Sequence, residues 1–143
     1  MNFVLKSFDR LSQMELYEIL RARMAVFVVE QSCPYQDIDG LDYGAHHLYI
    51  EENGEIKAYL RLFQKDDSTA RLGRIITTER GKGYGLALLN EGIAAAKRLF
   101  SPKTVYIEAQ CYATGFYEKA GFKVCSDVFL DDGIPHVKME LQL

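Results

Sequence analysis

Residues 71–100 read RLGRIITTERGKGYGLALLNEGIAAAKRLF, which divides into a strand, a glycine-rich turn and a helix. Arg71–Thr77 ends in the β-branched run Ile75, Ile76 and Thr77, as a strand would. Arg80-Gly81-Lys82-Gly83-Tyr84-Gly85 is the turn. Leu86, Leu89, Ile93, Ala96 and Phe100 then recur at spacings of three and four, which predicts one apolar helical face. Glycine admits positive φ and lets backbone come close to a ligand. The first helical turn adds unpaired N–H groups and the positive end of the helix dipole. Together these features predict an anion site suited to a phosphate or pyrophosphate. The competing reading is a plain strand-to-helix corner. A dinucleotide-binding turn wants G-x-G-x-x-G in the first βα unit, and here the glycines run G-x-G-x-G in mid-chain. A P-loop needs Ser or Thr after its lysine, and Lys82 is followed by Gly83.

Downstream, Thr104–Ala109 reads as a strand, Tyr112–Ala120 as a short helix ended by Gly121, and Phe122–Leu130 and Pro135–Gln142 as two strands joined through Asp131-Asp132-Gly133. Upstream, His47–Glu52 and Glu55–Phe63 form a hairpin across Asn53-Gly54. Lys65–Thr69 is a polar turn, and Cys33–Gly44 is a loop by its Pro, Gly and Asp content. Phe3–Phe8 is a short strand. Ser12-Gln13-Met14-Glu15 is a capping box that starts a helix expected to reach Val29, with Leu16, Leu20, Met24 and Phe27 on one stripe. Arg23 lies close to that stripe, where a snorkelling surface arginine competes with a role in a site. The order β-α-β-β-β-α-β-α-β-β predicts an α/β fold, a mixed sheet with helices on both sides.

The whole chain, 1–143, fits one domain. Its net charge of −3 argues against a nucleic-acid surface. Cys33, Cys111 and Cys125 have no metal-type spacing and read as reduced thiols, so no metal site is expected. The N-terminus MNFVLKSFDR carries no long apolar run, so neither a signal peptide nor a membrane span is expected, and the setting reads as cytoplasmic.

The turn resembles the R/Q-x-x-G-x-G/A signature of the GCN5-related N-acetyltransferases (GNAT). Gln110-Cys111-Tyr112-Ala113-Thr114-Gly115-Phe116-Tyr117-Glu118-Lys119-Ala120-Gly121-Phe122 resembles that family's N-x-x-A-x-x-x-Y-x-K-x-G-F segment, with Gln110 where Asn is common. Residues Arg23–Gln31, Cys33–Gly40 with Asp42, and Asp132-Gly133-Ile134-Pro135-His136 are similar to the ElaA-like branch. An R-x-x-x-F followed by D-x-x-D is also similar to the acyl-homoserine lactone synthases, although this chain is shorter and has no tryptophan.

The resemblance implies the acyl-CoA N-acyltransferase fold and acetyl-CoA as acetyl donor. The amides of Arg80, Gly81, Lys82, Gly83, Tyr84, Gly85 and Leu86 would hold the pyrophosphate. Ile75, Ile76, Thr77, Gln110, Ala113, Phe116 and Tyr117 would be further cofactor contacts, with Gln110 near the pantetheine arm and a backbone amide near Ile76 as donor to the thioester carbonyl. The strands around the central helix would splay to admit the cofactor. Transfer to an amine needs a base near the acceptor and a weak acid near the sulfur. The resemblance gives Tyr117 the acid's part; its competing role is a packed ring beside Phe116 and Phe122. Glu108 is the first candidate base, with Glu30, His47 and His136 as alternatives. Arg23, Glu30, Tyr35, Asp39, Asp42, His47 and His136 are candidate acceptor contacts. The aspartates of the Cys33–Gly44 loop suit a cationic amine, and a solvated acidic loop is the competing reading. The expected partner is a small-molecule or peptide amine, with a homodimer allowed and neither nucleic acid nor membrane. A coenzyme-A-binding regulatory module and a lactone-synthase-like acyltransferase are the alternatives to an N-acetyltransferase.

Overall fold

The computed structural model describes residues 1–143. Its first hairpin turns at Asn53 and Gly54, whose φ angles of 54° and 77° give the backbone a two-residue connection needs. They join β2 (His46–Glu52) to β3 (Glu55–Asp66). β1 (Asn2–Ser7) pairs with β2, and β4 (Thr69–Thr77) pairs with β3. The second half of the sheet is β5 (Thr104–Gln110), β8 (Ile134–Gln142) and the short β6 (Lys123–Val124), in the order β1-β2-β3-β4-β5-β8-β6. β7 (Phe129–Asp131) adds to β8. Only β4 and β5 run parallel. The result is the mixed sheet that the order of elements predicts.

α2 (Tyr84–Phe100) packs Leu88, Leu89, Ile93, Ala95 and Ala96 into the core. Gly92 lets it sit close, since a Cβ there would lie 2.8 Å from Leu60 Cδ2. The buried face differs from the expected one at its ends. Leu86 is 42% exposed, because the first turn of α2 projects over a cleft instead of onto the sheet, and Phe100 at the last turn is half-buried against the edge of the core.

α1 (Gln13–Arg23) starts at the capping box: Ser12 Oγ accepts from the Glu15 amide at 3.0 Å, and Glu15 accepts from the Ser12 amide at 2.9 Å. The helix continues with π spacing over Met24–Glu30. Its buried residues are Ile19, Arg23 and Val26, whereas Met24 is exposed. The expected stripe is therefore rotated. The physical cause is Arg23, which is 0% exposed because aspartates neutralise it inside the fold.

The expected strand Phe122–Leu130 is broken into β6 and β7. Between them Ser126 Oγ accepts the Lys138 amide at 2.8 Å, so a side chain replaces one rung of the ladder. α3 (Thr114–Glu118) is shorter than expected and is preceded by a 3₁₀ turn at Cys111–Ala113. No helix is long and apolar enough to cross a membrane.

One defect in the sheet positions everything that follows. β4 and β5 pair only from Thr69–Arg71 to Thr104–Tyr106, and Leu72–Thr77 has no partner on that side. The β3–β4 register slips between Tyr59 and Arg61, opposite Arg74 at φ 53°. An extra residue of this kind bends its strand and sharpens the twist. The two parallel strands splay apart beyond it.

Candidate active site

The splay opens a cleft of about 800 Å³ between β4 and β5. At one end stands the glycine turn, with Gly81 and Gly83 both at φ 78°. Gly83 is the N-cap of α2, and no side chain caps the helix. Helical bonding starts with the Ala87 amide to Gly83 O at 3.2 Å. The preceding amides are left for an anion. A Cβ on Gly83 would meet nothing within 4 Å, so the space over the turn is open. The turn is thus open to an anion such as a phosphate.

Ile75, Ile76, Thr77, Arg80, Gly81, Gly83, Tyr84, Gly85 and Leu86 line one side of the cleft. Gln110, Ala113, Phe116 and Tyr117 line the other. Lys82 is exposed on the turn and is not among the lining side chains. Tyr84 turns its hydroxyl away to Glu52 at 2.5 Å, which leaves its backbone as the part facing the turn. Arg80 is 70% exposed and pairs with Glu30, and Gln110 donates to Gln31 at 3.2 Å. The end of the π segment thereby bridges both sides. Glu30, a candidate base and acceptor contact, is a partner of Arg80 and does not line the cleft.

Tyr117 packs edge-on to Phe116 (5.1 Å between ring centres) and to Phe122 (6.1 Å). Its hydroxyl makes no hydrogen bond within the protein, and burial pushes its pKa up to about 12. The phenol is a protonated donor with no partner of its own.

Glu108 and His136 occupy the other side of β5. Along this strand Val105, Ile107 and Ala109 enter the core with α2, so Tyr106, Glu108 and Gln110 face the opposite way. Gln110 pairs with His136 of β8, which puts their side chains on that same face. Glu108 Oε2 takes Arg71 at 3.2 Å and the Tyr106 hydroxyl at 2.8 Å, leaving Oε1 free. His136 Nδ1 lies 2.7 Å from Ile134 O. Tyr35 also lines the cleft; burial raises its pKa, and its hydroxyl donates to Asp37 at 3.2 Å.

The acidic loop has a different role from the expected one. Arg23 binds Asp37 at 3.0 Å and Asp42 at 2.7 Å; Arg61 binds Asp39 at 2.7 Å and Asp42 at 3.2 Å; Arg74 binds Asp37 and Asp39. Three arginines thus neutralise three aspartates. Burial alone would raise the Asp39 and Asp42 pKa values, but hydrogen bonds to Arg61 and Arg23 outweigh it and hold both low. Arg23 and Asp42 are buried and do not line the cleft, which corrects their assignment to the acceptor. His47 is corrected likewise: it is fully buried, its Nε2 donates to Asp42 O at 3.0 Å, and its Nδ1 accepts from Tyr59 at 2.7 Å. Burial lowers its pKa and keeps it neutral. Asp39 does line the cleft, but with its charge matched.

The structure adds Phe27, Arg71 and Arg74 to the cleft. The Arg74 guanidinium lies 5.9 Å from the Phe27 ring and 5.7 Å from the Tyr35 ring. Strand alternation after the hairpin could have flagged Arg71; nothing in the sequence marks the bulge at Arg74. No group of three or more His, Cys, Asp or Glu side chains is arranged to hold a metal ion.

Comparison with known proteins points the same way. The family profile described as an acetyltransferase (GNAT) domain matches residues 12–143. The UPF0039 protein C11D3.02c of Schizosaccharomyces pombe is 43% identical over 147 aligned positions, covering 100% of this chain and 98% of that protein. ElaA of Escherichia coli is 40% identical over 137 positions, covering 92% of this chain and 90% of its own. Its crystal structure superposes with a TM-score of 0.92. The crystal structure of an acyl-CoA N-acyltransferase from Pseudomonas aeruginosa also gives 0.92, at 36% identity and 99% coverage of both chains. The fold is that of the acyl-CoA N-acyltransferases, and the chain belongs to the GNAT superfamily in its ElaA-like branch.

Proposed function

We propose that this acyltransferase moves an acetyl group from acetyl-CoA to an amine by direct transfer. The observation that carries the reading is the splayed cleft, which joins an uncapped helix N-terminus at Gly83 to an unpartnered phenol at Tyr117. The turn would hold the pyrophosphate, and the unpaired edge of β4 from Leu72 to Thr77 would offer backbone amides to the pantetheine arm and the thioester oxygen. Acetyl-CoA supplies the activated acetyl carbon. Phe27, Tyr35 and Asp39 would shape the acceptor side. A basic group there takes the amine proton as the C–N bond forms; Glu108, with Oε1 free, and His136, which also lines the cleft, are the candidates. Tyr117 donates a hydrogen bond to the sulfur as the C–S bond breaks. The three free cysteines agree with a cytoplasmic setting.

A thiol-release screen with acetyl-CoA and amines, polyamines, amino acids and peptides tests the proposal. Amine-dependent release supports it. Binding of coenzyme A without release would leave a regulatory module, and release only with S-adenosylmethionine would identify a lactone-synthase-like enzyme.

A further inference from the structure

Of the three histidines, His136 alone lines the cleft. His47 has both ring nitrogens occupied, and His46 packs edge-on against Phe100 (5.9 Å between ring centres) at the far end of α2. His136 is 9% exposed, yet only one of its nitrogens has a protein partner. That partner is a carbonyl, which accepts only, so Nδ1 carries the proton in the neutral ring and Nε2 carries the lone pair. Phe129 stacks on the ring at 5.9 Å and 29°, and the β7–β8 pairing that places Phe129 opposite His136 fixes the ring's orientation. The register with Gln110 puts it level with the end of β5, on the face away from α2.

Resting on the transferase reading above, we propose that His136 Nε2 is the general base of the reaction, with the Ile134 carbonyl as its orienting partner. Nε2 takes the proton from the attacking nitrogen as the C–N bond forms. The ring becomes a cation that the Ile134 carbonyl stabilises through Nδ1–H. The C–S bond breaks with Tyr117 donating a hydrogen bond to the departing sulfur, the thiolate takes its proton from solvent, and the imidazolium returns the amine proton to solvent. Atoms and charge balance with amide and free thiol as products. Glu108 is less suited, because Arg71 and Tyr106 already claim its other oxygen and hold the carboxylate as half of an ion pair.

His136→Asn tests the assignment, because its side-chain N–H can still reach Ile134 O while the Nε2 position is lost. In thiol-release kinetics with the best amine, kcat should fall by about 10²–10⁴-fold, with KM for acetyl-CoA and coenzyme A affinity by calorimetry little changed. Added imidazole should restore part of the activity of His136→Ala, a rescue that a merely structural role would not give. Glu108→Gln should lose less than His136→Asn. Ring ¹⁵N shifts of the wild type give a readout independent of the variants' folding: an Nδ1–H tautomer is expected, and an Nε2–H tautomer would overturn the proposal. A turning-over wild type beside a His136→Asn with unchanged kcat would overturn the base alone. A wild type that binds coenzyme A but releases no thiol with any amine would overturn the transferase reading as well.

Discussion

Removing one oxygen atom, in Tyr117→Phe, separates chemistry from packing. The ring contacts with Phe116 and Phe122 survive, and the lost hydroxyl has no protein partner. Deleting an unpartnered hydroxyl that faces a cleft costs little stability. The pKa of about 12 sets the magnitude of the catalytic effect. A free thiol titrates near ~8.5, so full proton transfer to a solvated thiolate would be uphill by about 3.5 units, or about 5 kcal/mol at ~1.36 kcal/mol per unit. Tyr117 therefore acts by a hydrogen bond that strengthens as charge builds on sulfur. One such donor is worth about 3–4 kcal/mol, so kcat should fall by about 10²–10³-fold. Stopped-time thiol release gives kcat, calorimetry gives coenzyme A affinity, and thermal unfolding gives stability; the last two should hardly move. The phenol donates only while protonated, and that form is lost as pH rises through about 12. Tyr117 should accordingly produce no alkaline limb in kcat below about pH 11. A kcat within about twofold of wild type would refute the reasoning and leave Tyr117 as a packed ring. A matching loss of coenzyme A affinity would make the hydroxyl a binding group instead.

Two further outcomes follow from the geometry. Gly83→Ala places a methyl in the open space over the turn and strains a φ of 78°, so coenzyme A affinity should drop at least tenfold, as calorimetry would read, in a protein that still folds, at a strain cost of about 1–2 kcal/mol. Arg23→Met strips one of two arginines from each of the buried Asp37 and Asp42 carboxylates, which keep Arg74 and Arg61, and should cost about 3 kcal/mol and lower Tm by on the order of 10 °C; a Tm loss of only a few degrees with a raised amine KM would return Arg23 to the acceptor site.

The elements whose signals are local were legible in the sequence. Asn53-Gly54 fixes a hairpin through φ alone, Ser12 and Glu15 cap a helix reciprocally, and three glycines before an apolar helix announce an anion-binding turn. What failed depends on contacts distant in sequence. Arg23 reads as either a snorkelling surface arginine or an acceptor contact until Asp37 and Asp42 fold over it, and the helical stripe rotates with it. The acidic loop reads as a negative mouth until Arg61 and Arg74 arrive from β3 and β4. His47 and His136 are alike as strand histidines; only the cross-strand neighbours separate one with both nitrogens bound from one with a nitrogen open to the cleft. The splay itself follows from a bulge at Arg74, a residue whose positive φ no composition rule predicts.

The most direct test of the central claim is to mix the protein with acetyl-CoA carrying ¹³C in its acetyl group, together with the amine that releases thiol fastest, and to follow the label by NMR and mass spectrometry. The account predicts that the labelled acetyl appears on the amine nitrogen in step with thiol release, with no acetylated protein formed when the amine is left out. Label that first accumulates on the protein, at Cys33 or elsewhere, or thiol release with no acetylated amine, would contradict it.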